Sequence, residues 1–353
     1  MKTERILIRG TNWLGDAVMT TPAMERLRAS FPNAHIALLA TPLTAGLFQG
    51  SPLVNEIIEY RRREQGVKAF FDAVRQIRSG RFEAALLFQN AFEAALIAWL
   101  GGIKLRIGFA EQGRSALLTH KLHRGADHRN RHQTNDYLDI VAECERVCLG
   151  GTFKPSIENP LPSLVATTAQ RQAAKEKLQD FEITDHRPLI ALNTGATNSR
   201  AKCWPTDRFA ELAGRLNKEL NAQIVLIGGQ AERDYADNVF RQIGKRHTVN
   251  LAGKTSMPEL IGLLAECDLL VSNDTGPAHV AAALGTPTLT IFGPTNEFET
   301  SPTGLHSQLV RADNIECARC MHRDCPIDHR CMTRLTTDAV FAQACKLLQT
   351  KLV

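Results

Sequence analysis

The chain has 353 residues, too many for one ordinary hydrophobic core, and its 44% hydrophobic and 22% charged residues are typical of a globular protein. No apolar run is long enough to span a membrane and the first residues lack the apolar core of a signal peptide, so we expect a cytoplasmic protein. The net charge is +5, and residues 1–165 carry the whole excess, with 21 Lys and Arg against 16 Asp and Glu.

The first half of the chain alternates predicted strands with predicted helices. Apolar runs without polar alternation predict strands that are covered on both faces. The predicted strands are 5–9, 35–40, 54–60, 82–88 and 105–109, and the predicted helices are 17–30, 67–78, 91–100 and 134–148. Repeated strand–helix units predict a parallel, doubly wound sheet.

A stretch rich in Gly, Pro, Ser and Asn contains a predicted linker, residues 156–165, between an N-terminal domain (1–155) and a C-terminal domain (166–353). In the second domain, strands are predicted at 189–193, 223–227, 248–251, 269–272 and 288–292, and helices at 168–181, 207–220, 232–243, 258–265, 278–284 and 337–349. The sequence therefore predicts an α/β protein of two doubly wound domains that face a ligand cleft. The C-terminal helix is a candidate to pack back on the first domain.

The loop after the first predicted strand, residues 10–16, reads GTNWLGD and leads into a helix. Asp16 at its end is a candidate general base, and equally a candidate helix N-cap. The G-x-G-x-x-G pattern is absent and no ribose-binding acid follows about 20 residues later, which argues against a nicotinamide enzyme.

Three predicted strands of the second domain end in polar, glycine-containing turns. The candidate ligand-binding residues in these turns are Thr194, Gly195, Thr197, Lys202, Gly229, Glu232, Asp274, Thr275, Gly276 and His279. Glycine lets a ligand approach the backbone, while a lysine and a helix N-terminus favour phosphate. Glu232 is either an acceptor for sugar hydroxyls or an ordinary first-turn Glu, and His279 is either a diphosphate contact or a helix histidine. Together the turns predict a nucleoside-diphosphate pocket.

Residues 104–132 form a basic segment with seven Lys and Arg, four His and two acidic residues. Such a segment favours an anionic partner such as phosphate, nucleic acid or a membrane surface, or it is a solvated loop. Phe109 is its one aromatic residue. Because nucleic-acid binding usually adds aromatic stacking to positive charge, nucleic acid is the disfavoured partner.

The chain has nine cysteines, expected to be reduced in the cytoplasm. Four of them, Cys317, Cys320, Cys325 and Cys331, lie within fifteen residues. This cluster predicts either a structural zinc site or a reduced, redox-labile thiol loop.

Four motifs together resemble glycosyltransferase family 9, the ADP-heptose:lipopolysaccharide heptosyltransferases, and the first motif is most similar to the heptosyltransferase II branch. They are RGTNWLGDAVMTTP (9–22), KCWP (202–205), Gly228-Gly229 with Glu232, and NDTGPAH (273–279). The resemblance implies a GT-B fold, with two Rossmann-like domains and the active site between them. It also implies an inverting, metal-independent transfer with Asp16 as the general base and no cofactor.

By the same resemblance, the second domain binds ADP-heptose and the first binds the Kdo–lipid A–heptose acceptor. The candidate acceptor-binding residues are Asn12, Trp13, Arg106, Arg114 and Lys121. The basic segment implies peripheral contact with the inner leaflet of the cytoplasmic membrane, and a monomer is expected. The alternatives are another family 9 transferase (heptosyltransferase I-like, III-like or with another nucleotide-sugar donor) and a non-catalytic nucleotide-sugar binder.

Overall fold

A computed structural model describes residues 3–151, 160–181, 183, 187–245 and 247–350. The chain divides into two compact units, Met1–Pro162 and Ser163–Val353. The predicted linker, 156–165, overlaps this division, and its residues 156–159 lie outside the described part of the chain.

The first unit is built on a parallel six-stranded sheet in the order β3-β2-β1-β4-β5-β6. Its strands are β1 (Arg5–Arg9), β2 (His35–Ala40), β3 (Glu56–Glu59), β4 (Ala84–Leu87), β5 (Leu105–Phe109) and β6 (His120–Leu122). Its helices are α1 (Leu14–Met19), α2 (Thr21–Ser30), α3 (Pro42–Ala45), α4 (Arg62–Gln65), α5 (Val67–Gly80), α6 (Phe92–Leu100) and α7 (Thr134–Leu149). Helices α5 and α6 share one apolar core with the sheet, and α2 packs against α7.

The second unit repeats the architecture, with strand order β12-β11-β10-β7-β8-β9 and parallel pairing throughout. Its strands are β7 (Leu189–Asn193), β8 (Gln223–Ile227), β9 (Thr248–Asn250), β10 (Leu269–Asn273), β11 (Thr288–Ile291) and β12 (Ser307–Val310). Its helices are α8 (Thr168–Gln179), α9 (Thr206–Leu220), α10 (Arg233–Ile243), α11 (Met257–Glu266), α12 (Gly276–Ala283), α13 (Glu297–Thr300), α14 (Arg330–Thr333) and α15 (Thr337–Thr350). The C-terminal helix α15 packs on α9, β10 and β11 of its own unit.

The predicted class, α/β with two doubly wound parallel sheets, is confirmed. In each unit the strand order reverses beside the first strand, between β1 and β4 and between β10 and β7. Loops that leave such a switch point in opposite directions open a crevice at the carboxyl ends of the strands. Within the described residues, no helix has the length and apolar character needed to cross a membrane.

Candidate active site

In the second unit, two buried asparagines lie at the switch point. Asn193 ends β7 and Asn273 ends the neighbouring strand β10. The Asn273 amide donates to the carbonyl oxygens of Thr194 (3.0 Å) and Gly195 (3.2 Å) and accepts from the Trp204 backbone amide (3.0 Å). These bonds hold together the turns that follow both strands. Neither asparagine was among the predicted binding residues, although a polar side chain that ends a buried apolar strand was a usable signal.

Glu232 joins the turn after β8 to the turn after β7. Its buried carboxylate accepts from the Thr197 hydroxyl (3.0 Å) and from the Gly229 backbone amide (2.7 Å). A Cβ on Gly195 would lie 2.7 Å from the Glu232 Cβ, so the glycine is required for this close approach. Glu232 therefore orders two candidate turns, and Thr197 and Gly229 remain exposed beside it.

Lys202 and Asp274 form an ion pair at the edge of the same group of turns. The Lys202 Nζ lies 2.9 Å from the Asp274 Oδ2, and the Thr295 hydroxyl donates to the same oxygen at 2.7 Å. The Asp274 side chain is buried, whereas that of Lys202 is 28% exposed. The Asp274 carboxylate would repel a phosphate because both are negatively charged. Its position therefore suits it to orient the lysine and not to contact a phosphate directly. Thr295 was not among the predicted residues.

Helix α12 begins without a side-chain cap. Thr275 holds the N-cap position, but its hydroxyl accepts from the Asn193 side-chain amide at 2.6 Å and caps no backbone amide. His279, one turn further, is buried. Within the described residues, the Asn193 Oδ1 and the Thr194 hydroxyl also have no hydrogen-bond partner. A helix N-terminus without a side-chain cap, half-exposed at Thr275 and Gly276, is suited to an anion.

The cysteine-containing loop supports the turn that carries Lys202. The His329 ring lies 2.6 Å from the Ala201 carbonyl oxygen, and the Ala201 amide donates to the Arg323 carbonyl at 3.0 Å. Arg200 also pairs with Asp324 at 2.9 Å. The loop of the predicted zinc cluster and the predicted phosphate-binding turn are thus in contact. The sequence did not predict this contact, because the two segments are far apart in the chain.

The four clustered cysteines do not form a metal cage. Among the described residues, no three or more His, Cys, Asp or Glu side chains are arranged to hold a metal ion. All four are free thiols, with Cys331 buried and Cys320 exposed. Burial raises the pKa of Cys331 to about 11, and the charges of the other three thiols add to the shift. The described residues thus provide no metal-binding arrangement at the predicted zinc site.

In the first unit, Asp16 lies in the first turn of α1, directly after β1 at the switch point. Trp13 takes the N-cap position, and the Asp16 side chain is half-exposed. Burial raises the pKa of Tyr137 well above its ordinary value, and the negative charge of Asp16 adds to the shift. Asp16 thus lies at the carboxyl end of the sheet, where the topology opens a crevice.

Arg9 stabilises the loop before Asp16 through hydrogen bonds to two of its residues. Its buried guanidinium donates to the Gly10 carbonyl (2.5 Å) and to the Asn12 side-chain oxygen (3.1 Å), and it stacks on Tyr60 at 5.3 Å. Burial lowers the pKa of Arg9 to about 10. The Asn12 side-chain oxygen therefore already accepts a hydrogen bond from Arg9. Trp13 remains half-exposed and lies under the Arg63 guanidinium, 5.8 Å from ring centre to cation.

Two of the predicted acceptor-binding arginines stabilise the fold. Arg114 is fully buried and donates to the carbonyls of Phe109 and Gln89, and burial lowers its pKa to about 10. Arg106 donates to the Leu117 carbonyl at 2.6 Å. These contacts argue against the predicted acceptor role of Arg114, because its charge does not reach the surface. Lys121, by contrast, is exposed on β6.

The architecture and the site define the general class. Two parallel doubly wound units, each with polar side chains at the switch point of its sheet, are typical of proteins that bind nucleotides or their derivatives. In the second unit, a lysine, the Thr194 hydroxyl, which has no hydrogen-bond partner among the described residues, and a helix N-terminus without a side-chain cap converge at that point.

Residues 71–330 match glycosyltransferase family 9 (heptosyltransferase), and the chain belongs to this family. It is 28% identical to a lipooligosaccharide heptosyltransferase 2 of Campylobacter jejuni, over 97% of this chain and 99% of that protein. It is 28% identical to a lipopolysaccharide heptosyltransferase 2 of Salmonella typhimurium, over 87% of this chain and 88% of that protein. The structure of E. coli ADP-heptose lps heptosyltransferase II superposes with a TM-score of 0.82 at 26% identity, covering 99% of this chain and 100% of that one. The chain is thus a transferase with the GT-B architecture.

Proposed function

We propose that this protein transfers L-glycero-D-manno-heptose from ADP-heptose to a heptose hydroxyl of the lipopolysaccharide inner core. Family membership and the similarity to enzymes called heptosyltransferase 2 support the choice of donor and acceptor. The observation that carries the proposal is the group of donor-side features in the second unit. Lys202 offers a cation, and the backbone amides at the N-terminus of α12 offer hydrogen bonds to a diphosphate.

The proposed reaction is a single displacement. The Asp16 carboxylate takes the proton from the acceptor hydroxyl while that oxygen forms a bond to the anomeric carbon of the donor heptose. The bond from that carbon to the ADP oxygen breaks at the opposite side, so the configuration at the anomeric carbon inverts. The proton remains on Asp16 and the bonding electrons leave with ADP.

The departing ADP gains negative charge, and the Lys202 ammonium would stabilise it. Asp274 fixes the position of that ammonium from the protein side, so the charge is pre-oriented before the bond breaks. The backbone amides at the start of α12 would add the positive end of the helix dipole. This arrangement would supply the stabilisation of the leaving group that a divalent cation gives in other transferases, so we propose a metal-independent reaction. We also propose that the reaction takes place at the cytoplasmic face of the membrane.

The experiment that tests the proposal is incubation of the purified protein with ADP-heptose and a panel of truncated lipopolysaccharides of defined structure, followed by mass spectrometry. We expect one added heptose on the acceptor that ends in a single inner-core heptose. Addition to an acceptor that ends in Kdo would instead favour a heptosyltransferase I-like activity. No transfer with ADP-heptose, but transfer from another nucleotide sugar, would reject the proposed donor.

A further inference from the structure

Two neighbouring helices of the first unit expose apolar side chains. On α5, Val67 and Phe71 are 60% and 58% exposed, and on α6, Phe92 and Trp99 are 46% and 50% exposed. Residues four and seven positions apart lie on the same side of a helix, so each pair forms a stripe. Exposed aromatic side chains that are grouped rather than scattered mark an interaction surface.

The two stripes lie on helices that pack against each other. Helices α5 and α6 pack on the same apolar core through their opposite sides, for example Ala73 and Ala98. The Arg78 guanidinium donates to the Leu100 carbonyl at 2.9 Å and ties the ends of the two helices together. We call this surface, made of Val67, Lys68, Phe71, Arg75, Phe92 and Trp99, the α5–α6 face.

The α5–α6 face lies in a strongly basic part of the chain. Residues 61–81 contain seven Lys and Arg and two acidic residues. Lys68 is exposed, and the Arg75 side chain is 78% exposed although it lies 3.1 Å from Asp72. A surface with aromatic side chains and exposed cations is complementary to a membrane of acidic lipids, whose interface accepts aromatic rings and whose headgroups attract Lys and Arg.

The predicted basic segment, residues 104–132, offers less free charge than its composition suggests. Arg106 and Arg114 donate to backbone carbonyls, and Arg124 pairs with Glu111 (3.0 Å) and Asp136 (2.9 Å). Much of its positive charge therefore holds the fold together. On α5, by contrast, the exposed cations Lys68 and Arg75 share a helix with the exposed ring of Phe71.

We propose that the α5–α6 face docks this protein on a membrane surface that contains acidic phospholipids. Phe71, Phe92 and Trp99 enter the interface, and Lys68 and Arg75 contact the headgroups. The face adjoins the loop that carries Asp16, because Arg63 stacks on Trp13 and Glu93 of α6 accepts from Tyr60 (2.6 Å) and Arg62 (2.9 Å). Docking would bring that loop close to an acceptor anchored in the membrane, and in this respect alone the inference rests on the proposed function.

The test is flotation of the full-length protein with vesicles, without donor or acceptor. We expect binding to vesicles of phosphatidylethanolamine and phosphatidylglycerol, weak binding to phosphatidylcholine, and weaker binding as salt increases. Phe71→Ser with Trp99→Gln should reduce the partition coefficient about tenfold or more, as should Lys68→Glu with Arg75→Glu. Leu305→Ser removes an 81% exposed apolar side chain from the second unit and should leave binding unchanged.

Three results would overturn the inference. Two of them are that the wild-type protein does not float with acidic vesicles and that both double variants float as well as the wild type. The third is a concentration-dependent dimer in analytical ultracentrifugation that the same variants abolish, which would assign the face to a second copy of the chain. The substituted side chains are exposed, and the charge variants provide a second measurement should the aromatic variants fail to fold.

A separate assay distinguishes this inference from the proposed function. Variants that no longer dock should still transfer heptose to a deacylated, water-soluble acceptor at the wild-type rate. Wild-type protein that docks on vesicles but transfers no heptose to any acceptor would reject the proposed function and leave the docking surface intact.

Discussion

In the proposed donor site, Lys202 of the Lys202–Asp274 pair has a role in folding as well as the proposed role in ligand binding. Asp274 is buried and receives two hydrogen-bonding groups, the Lys202 ammonium and the Thr295 hydroxyl. The lysine therefore neutralises a carboxylate that would be costly to bury alone, while its exposed fraction remains available to a ligand. Loss of the lysine should affect stability and ligand affinity through separate causes.

Lys202→Met tests that separation. The variant should bind ADP about tenfold to a hundredfold more weakly, because a charge-assisted hydrogen bond is lost, and it should also melt at a lower temperature because Asp274 loses its counter-ion. The double variant Lys202→Met with Asp274→Asn should regain most of the melting temperature but not the ADP affinity. Calorimetric titration and thermal unfolding measure the two effects.

Two outcomes would contradict this interpretation of Lys202. Wild-type ADP affinity in the single variant would mean that the lysine does not contact the ligand. Recovery of ADP affinity in the double variant would mean that the balance of charge in the turn, rather than the ammonium itself, determines binding.

Helices α8 and α11 pack so closely that their contact depends on one glycine. A Cβ on Gly262 of α11 would lie 2.0 Å from the Gln170 carbonyl oxygen of α8, and a backbone atom cannot move aside cheaply. Gly262→Ala should therefore destabilise the second unit by about 2–3 kcal/mol, a fall of roughly 5–10 °C in melting temperature.

The matched control is Gly214→Ala on α9, where no atom lies within 4 Å of the added Cβ. Because alanine is the better helix former, this variant should gain up to about 1 kcal/mol. Equal melting temperatures for the two variants would show that helices α8 and α11 can move apart to accommodate the added Cβ without loss of stability.

The same helix pair should give a pH-dependent contribution to stability. Glu259 accepts from the Lys177 ammonium of α8 at 2.7 Å and from the backbone amide of Ser256, the N-cap residue of α11, and these bonds lower its pKa to about 2. A carboxyl with a lowered pKa stabilises the fold above its unfolded pKa, and this contribution disappears as the pH falls from about 5 towards 2.

Glu259→Gln should consequently melt below the wild type at pH 7, and the difference should narrow as the pH falls towards 2. Thermal unfolding at several pH values measures the trend. Glu176→Gln, which changes an α8 carboxylate that bonds to Gln172, serves as the control and should show no such trend. A difference that stays constant with pH would exclude the ion pair as its cause.

The predicted elements were correct where the sequence pattern was strong. Five strands, including β1 and β7, have the predicted bounds because buried parallel strands are short apolar runs. The predicted helix 17–30 is interrupted near Thr20, since Pro22 provides no amide donor, and the Thr20 and Thr21 hydroxyls bond to the Ala17 and Val18 carbonyls instead. Strands β6 and β12 were missed because these edge strands are short and lack an apolar run.

At the scale of the whole molecule, the arrangement of the site followed from the topology. Parallel strands place their carboxyl ends at one edge, so polar turns far apart in sequence were expected to meet, and in the second unit Thr197, Glu232 and Gly229 do. The sequence could not predict which polar groups of the candidate site already form hydrogen bonds or ion pairs within the protein. The burial of Arg114 and the pairing of Asp274 depend on contacts between residues distant in sequence, which periodicity and motif spacing do not encode.

The central claim is that chemistry belongs to Asp16 of the first unit and donor binding to the second unit. The most direct measurement is the transfer rate and the ADP affinity of Asp16→Asn, with Asp127→Asn as a control for an exposed carboxylate of the same unit. The account predicts a rate about 100-fold to 10,000-fold lower for Asp16→Asn, unchanged ADP affinity, and a wild-type rate for the control. A wild-type rate in Asp16→Asn, or loss of ADP binding equal to the loss of rate, would contradict it.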